Sequence, residues 1–315
     1  MNTTYCITGV SGYIGTLLAR RLASDPKNRV VGIDLNEPEK LKEIGFYQSD
    51  IRDPGIAGIL KAENVDTVIH LAFYTLPEGN AAEAESINIG GTKNMLQAVG
   101  ETDVKRLLIA SSAAAYGSHP DNPVPMKESH PLRPNKFFYY SYHKAVQEEL
   151  TQEFSKNHPE VKVIILRPCI LIGPHINNPT GDSLKQKVLI YPSGEQPPIQ
   201  VIYEDDAVDA FYLAATSGTE GIFNVAADNT VVYPELAKIM NKKLILLPSW
   251  LLSPLATVGK WLGLSPVSST TLRFIKNPIV IDPSKFNKEF NFQPKYDAKR
   301  AFMKFAQEIY IRNNF

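Results

Sequence analysis

The apolar positions of this chain change period twice in its first 34 residues. A short β-leaning run, Tyr5-Cys6-Ile7, enters a turn of small residues, Thr8 to Gly15, and apolar residues then recur at helical spacing, Ile14, Leu17, Leu18 and Leu22. A second apolar run, Val30-Val31-Gly32-Ile33, closes at Asp34. Strand, turn, helix and strand make a βαβ unit, and the alternation continues. Strands are expected over Gly45 to Gln48, Asp66 to Phe73, Lys105 to Ala110 and Val161 to Leu166, and the run at 66–73 is apolar enough for a strand buried on both faces of a parallel sheet. Between them the pattern predicts a charged helical piece after Asp34 and helices over Pro54 to Ala62, Ala84 to Val99 and Phe138 to Asn157, with loops over 77–83 and 118–135.

Beyond residue 166 the regular alternation stops. Residues 173–198 read as loop, Gln200 to Tyr203 and Gly221 to Ala226 as strands, Glu204-Asp205-Asp206 as a helix start, and Lys299 to Arg312 as the last helix. Ser249 to Leu262 is an amphipathic helix interrupted by Pro254, and the stretch Trp250 to Pro266 reads as a lid or packing helix, with a place on a membrane surface as the alternative. This gives an α/β chain whose dinucleotide-binding domain is 1–166, with 199–228 returning to it, and whose substrate-binding region is 167–198 with 229–315. No apolar run approaches the ~20 residues of a membrane span.

Composition alters this picture little. Of 315 residues 43% are apolar, which supplies a sizeable core, and 33 basic residues balance 33 acidic ones, which gives no electrostatic case for nucleic acid or an anionic membrane. Two cysteines make no disulfide framework, and the first strand begins too early to leave room for a signal peptide, so a reducing cytoplasm is the expected compartment.

The chemistry starts in the first turn. Gly9, Gly12 and Gly15, with Ser11, Tyr13 and Ile14 between them, follow a GxxGxxG pattern at a strand-to-helix junction. Bare backbone there lets a pyrophosphate approach, and its charge meets the unpaired amides at the start of the helix. Asp34 lies 19 residues after Gly15, where a carboxylate binds both ribose hydroxyls of an adenosine and repels a 2′-phosphate; no Arg follows at Leu35 or Asn36, so NAD is favoured over NADP. Asp50, beside Ile51 at the end of the third strand, either contacts the adenine amino group or caps the helix before Pro54. The strand ending in Leu71-Ala72 should also face the cofactor, and the helix after it carries Asn88 and the pair Gly90-Gly91, which calls for close packing or a ligand.

Of the 14 tyrosines only Tyr140 has a lysine four residues later, Lys144. On a helix the two are ~40° apart, so the ammonium can lower the phenol pKa from its ordinary value of about 10 and make Tyr140 a usable acid or base. Ser112, at the end of a central strand, can donate a hydrogen bond to the same substrate oxygen. Taken singly, Tyr140 and Lys144 also fit an exposed i,i+4 pair and Ser112 a helix cap.

As an ordered set, Thr8 to Gly15, His70-Leu71-Ala72, Asn88 with Gly91-Thr92, Ser111-Ser112 with Tyr116-Gly117, Tyr140 with Lys144, Arg167-Pro168 with Gly173-Pro174, Asp205-Asp206, Asp282 and Phe292-Gln293-Pro294 resemble the extended short-chain dehydrogenases/reductases, the NAD-dependent epimerase/dehydratase family. The resemblance implies a Rossmann-type doubly wound parallel sheet binding NAD, a smaller carboxyl-terminal substrate-binding region, and catalysis by Ser112, Tyr140 and Lys144. It places Pro168 and Cys169 near the nicotinamide and suggests a homodimer built on the helices around 84–99 and 140–157.

The departures narrow the chemistry. Sugar-nucleotide dehydratases of the family carry Asp-Glu after the catalytic hydroxyl, where this chain has Ala113-Ala114, so water elimination by that route is excluded. Ile170 stands where sugar-nucleotide enzymes tend to have Asn, and no Arg lies near Ile199. The expected activity is hydride transfer to or from a hydroxyl or keto carbon of a small molecule, a sugar nucleotide or a relative of one. The alternatives are a dehydrogenase of an apolar alcohol and, from another class, an NAD-sensing protein without catalysis. The six histidines show no paired metal-ligand spacing. His70 is expected to order the cofactor end of its strand, His143 to face solvent or a dimer partner, and Cys169 to be a small buried side chain.

Overall fold

The computed structural model describes residues 3–38, 41–75, 80–194, 196–248, 250–252, 254–256 and 269–313. Its strands are β1 (Thr3–Thr8), β2 (Asn28–Asp34), β3 (Gly45–Gln48), β4 (Thr67–His70), β5 (Arg106–Ala110), β6 (Lys162–Pro168), β7 (Ile170–Ile172), β8 (Val188–Pro192), β9 (Val201–Tyr203), β10 (Gly221–Val225) and β11 (Lys243–Leu247). Seven of them form one sheet in the order β10-β6-β5-β4-β1-β2-β3. Strand β1 pairs in parallel with β2 and with β4, Tyr5 lying opposite both Val30 and Thr67. The strand order therefore reverses at β1, which is the Rossmann-type doubly wound arrangement, and ligands of such sheets bind where the order reverses, at the carboxyl ends of the strands.

The chain divides into two compact units, the first holding Met1–Ser112, His143–Arg167 and Val208–Phe223. One face of its sheet is covered by α2 (Ile56–Ala62) and α4 (Gly91–Gly100), whose Ile56, Leu60, Met95 and Val99 are buried against Cys6, Val68, Leu107 and Ile165 of four strands. Each such side chain contributes about 1.5–3 kcal/mol on burial. The helix expected over 84–99 begins earlier, as α3 (Ala81–Glu85), capped by the side chain of Asn80, and passes through a π-helical turn (Ser86–Gly90) before α4. Gly91 is there for close packing, since a Cβ on it would lie 2.5 Å from the Ile51 side chain. Between Asp34 and β3 no helix lies among the described residues, and 42–44 form a turn and a bend.

The second unit holds Ala113–Tyr142, Pro168–Ala207 and Asn224–Phe315. It contains two small parallel pairs, β7 with β9 and β8 with β11. The 173–198 stretch, expected as loop, contains α6 (Pro179–Lys185), capped by Asn178, and β8. Asp206, in the acidic first turn of α7 (Glu204–Thr216), anchors the carboxyl-terminal tail by accepting the amides of Lys295 and Tyr296 at 3.0 and 3.2 Å. Residues 250–252 and 254–256 are helical with Trp250 exposed and Leu252 buried, while Val258, Trp261, Leu262 and Pro266 of the expected amphipathic helix, like Pro77 and Gly79 of the expected loop, lie outside the described residues. Among the described residues no helix is long and apolar enough to cross a membrane.

Candidate active site

The turn after β1 is built so that no side chain fits. Gly9 has φ +72°, and a Cβ on it would fall 2.7 Å from the Ala72 amide nitrogen; one on Gly15 would fall 2.1 Å from the Gly9 carbonyl oxygen, and one on Gly12 3.1 Å from the same atom. Helix α1 (Tyr13–Ala23) starts at Gly12 with no side-chain cap and no acid in its first turn. An uncapped amide end behind a bare backbone turn is a site for an anion. Leu71 and Ala72, at the end of β4, close the other side: their amides donate to the Thr8 carbonyl at 3.1 Å and the Thr8 hydroxyl at 3.3 Å. Asp34, the last residue of β2, accepts the amide of Ser11 at 3.0 Å and that of Asn36 at 3.3 Å, and Ser11 Oγ donates to the Asn36 carbonyl. A carboxylate has about four acceptor positions, so Asp34 keeps capacity for a ligand's hydroxyls.

Asp50 is bound to Arg52, whose guanidinium lies 2.8 Å from Oδ1 and holds the carboxyl below its ordinary range. It does not cap the following helix, which begins at Ile56 with Gly55 before it. Ile51 is buried against Gly91. Asn88, 1% exposed, accepts the Tyr74 amide at 2.6 Å and donates back to the Tyr74 carbonyl at 3.1 Å, which ties down the chain leaving β4.

Ser111 and Ser112 follow β5 and differ in burial. Ser111 is buried and donates to Glu148, which also takes the guanidinium of Arg167 at 2.7 Å in an ion pair with both side chains almost wholly buried. Ser112 is only half-buried and precedes a 3-10 turn, Ala113–Tyr116, in which Ala113 and Ala114 are packed inside. Helix α5 (Tyr139–Asn157) carries Tyr140 and, one turn on, Lys144. Lys144 is no exposed partner: it is 4% exposed, with Nζ 2.5 Å from the Ala110 carbonyl oxygen, 3.0 Å from Gln147 Oε1 and 3.5 Å from the centre of the Phe73 ring. Burial lowers its amine to about 7, against the pull of Glu148. His70, at the end of β4, is likewise buried, between Thr8 Oγ1 at 2.8 Å and Thr92 Oγ1 at 3.4 Å, and burial first and Lys144 second lower it to about 3, so it is neutral near pH 7. His143 does not face solvent or a partner: it is 4% exposed, with Nδ1 3.3 Å from Asn88 Nδ2.

In the second unit, Pro168 ends β6 and Cys169 is buried, its amide on the Val225 carbonyl at 2.9 Å and its thiol pushed up by burial, so it is no nucleophile. Ile170 is 42% exposed, and Ile199 bridges Val231 through the backbone. The same unit has a cavity of about 390 Å³ that none of the expected site residues lines; Phe137, Leu252, Ser269, Thr270, Arg273 and Lys276 do, and Arg273 stacks on the Phe137 ring at 4.0 Å. Among the described residues no cluster of His, Cys, Asp and Glu is placed to hold a metal ion.

Sequence reasoning missed Gln147 and Glu148, and Thr8 and Thr92 entered it only through the resemblance. A signal was present: Lys144, Gln147, Glu148 and Thr151 stand at i, i+3, i+4 and i+7, the spacing of a buried helix face filled by polar residues, and all four are buried.

A parallel sheet that reverses at a glycine turn, with an acid at the end of the second strand and a buried lysine one turn after a tyrosine, defines a dinucleotide-binding α/β protein of Rossmann type. The chain belongs to the NAD dependent epimerase/dehydratase family, whose description matches residues 5–226, and NAD is its cofactor. It is 27% identical over 308 residues to an uncharacterized protein of Mycobacterium tuberculosis, covering 94% of this chain and 81% of that one. It is 29% identical over 255 residues to the dTDP-D-glucose 4,6-dehydratase of Mus musculus, covering 74% and 70%. Its fold matches the UDP-glucose 4-epimerase of Thermus thermophilus, solved as a complex with NAD, with a TM-score of 0.78 at 20% identity over 98% of this chain and 99% of that one.

Proposed function

We propose that the protein moves a hydride between NAD and a hydroxyl-bearing carbon of a small molecule, with Ser112, Tyr140 and Lys144 as the catalytic residues. The turn Gly9 to Gly15 would hold the pyrophosphate, Asp34 the adenosine ribose, Asp50 and Ile51 the adenine side, and Leu71, Ala72, Asn88, Pro168 and Cys169 the nicotinamide half. When bound, NAD supplies the hydride acceptor. Ser112 donates a hydrogen bond to the substrate oxygen, and Tyr140 takes or returns the proton of that oxygen. Lys144, buried one turn away on the same helix, stabilises the phenolate as the proton moves.

The observation that carries this reading is the placement of Lys144. A lysine amine this deep in a protein is costly unless its charge is used, and here it sits at the carboxyl ends of the central strands. A sensor without catalysis has no need of it. For the substrate, Ala113 and Ala114 leave no acid to expel water, which favours epimerisation or simple oxidation over dehydration. Arg273 and Lys276 beside the cavity of the second unit suit a diphosphate attached to a sugar. The exposed Ile170 favours the second reading, an apolar alcohol.

The test is Tyr140→Phe. It should bind NAD within about twofold of the parent and lose about 10²–10⁴ in turnover, measured as NADH formation or epimer interconversion on a panel of sugar nucleotides and alcohols. Undiminished turnover in this variant would sink the mechanism.

A further inference from the structure

The polar groups around Lys144 can be assigned hydrogen by hydrogen. Thr92 Oγ1 lies 2.6 Å from the Asn88 carbonyl oxygen, which only accepts, so the single hydroxyl proton of Thr92 goes there. The lone pairs of the same oxygen then receive Gln147 Nε2–H at 3.2 Å and His70 Nε2–H at 3.4 Å. This fixes the His70 tautomer: Nε2 carries the proton, Nδ1 accepts from the Thr8 hydroxyl at 2.8 Å, and Thr8 Oγ1 in turn accepts the Ala72 amide. It also fixes the amide of Gln147, since its nitrogen is committed to Thr92 and its oxygen is left facing Lys144 Nζ at 3.0 Å. Thr8, His70, Thr92 and Gln147 are all at most 2% exposed, so water does not compete for these bonds.

We propose that Gln147 is the positioning residue for Lys144: its amide, locked through Thr92 and His70 to the strand that ends in the glycine turn, fixes the amino group one turn from Tyr140 and raises its affinity for the proton. Each bond in the chain has one possible direction, so the amide cannot turn its nitrogen toward Lys144 without losing the bond to Thr92. Of the other groups facing the amine, Glu148 pulls it upward through its charge. The Ala110 carbonyl accepts from it and the Phe73 ring covers it, but neither can reverse. His70 on β4 is neutral, and Glu148 on α5 is already committed to Arg167 and Ser111. In the function proposed above, Tyr140, one turn earlier on the same helix, is the group on which the ammonium would act. Because burial brings Lys144 to about 7, one hydrogen bond more or less decides its charge at neutral pH.

The use of this arrangement in catalysis rests on the function proposed above, but its test does not. In the full-length protein without cofactor, labelled with ¹³C at the lysine Cε positions, the Lys144 resonance is identified by its absence in Lys144→Met and followed from about pH 5 to 11. Gln147→Met, which keeps the volume and loses the acceptor, should lower the Lys144 midpoint by about one unit; Gln147→Glu, of the same shape with a carboxylate, should raise it by about one unit or more. Shifts of opposite sign are beyond a merely structural role, which would loosen the site in both variants alike. Shifts in the same direction, or none beyond the precision of the titration, overturn the proposal. If Gln147→Met fails to fold, no rise in Gln147→Glu overturns it alone. Turnover in Tyr140→Phe tests the enzymatic reading separately, so either can fail without the other.

Discussion

Asp34 binds the amides of Ser11 and Asn36, and through Ser11 it ties the end of β2 to the glycine turn. In the function proposed above, its charge stands beside the adenosine ribose. Asp34→Ala should weaken NAD through the lost ribose contact and a looser turn, whereas for NADP the loss of a repulsion offsets part of that. The ratio is therefore diagnostic. The preference for NAD over NADP, taken from the two dissociation constants by titration, should fall at least tenfold, which is about 1.4 kcal/mol. An unchanged ratio would show that another residue sets it. At this scale the sequence was legible where geometry forces a residue type: bare backbone at Gly9 and Gly15. It misled at His143, because a histidine beside a lysine carries no mark of the neighbours that bury it, here Asn88 of another helix.

Helix α5 is polar on the face it buries. Hydrophobicity therefore reads only its length and the Tyr140–Lys144 spacing, and not its partners on the neighbouring strands, Ala110 at the end of β5 and Arg167 on β6. Glu148 and Arg167 are separated by 19 residues and meet only because β6 runs beneath the helix, a tertiary fact with no local pattern. The pair predicts a large effect. Glu148→Ala leaves the Arg167 guanidinium buried without a counter-charge and removes the acceptor of Ser111, and should cost about 3–5 kcal/mol in urea denaturation. Glu148→Met with Arg167→Met should recover most of it, because two apolar side chains replace two desolvated charges. A single variant within about 1 kcal/mol of the parent would show that solvent reaches the pair. The π-helical turn before Gly91 was likewise illegible: its extra residue brings Asn88 onto Tyr74, and neither residue reveals that at a distance of 14 in sequence.

For the whole molecule, the first unit was readable because βα alternation repeats one local rule, and a parallel sheet buried on both faces writes it in long apolar runs. The second unit was legible at β9 and in its last helix, Ala298–Asn313, but not at β8, β11 and one short helix. Strands β8 and β11 pair across 55 residues, which no local pattern announces, while α8 (Tyr233–Ile239) is a short helix whose local mark is the proline in its first turn. One buried group of the first unit nevertheless governs a property of the entire fold. Lys144 binds its proton at about 7 in the folded chain and at its ordinary value, about 10.5, in the unfolded one. Below pH 7 both states hold the proton, and the full cost of burying the charge is present. Between pH 7 and 10.5 the unfolded state holds more protons, so stability from this group rises with pH, by about 1.4 kcal/mol per unit. Other groups titrate in the same range, and the comparison that isolates Lys144 is with Lys144→Met. In urea denaturation of the cofactor-free protein, the parent should gain about 2 kcal/mol on the variant between pH 7.5 and 9. Parallel curves would mean that the amine keeps its proton in the fold through this range, held by the Ala110 carbonyl and Gln147 more tightly than burial opposes it.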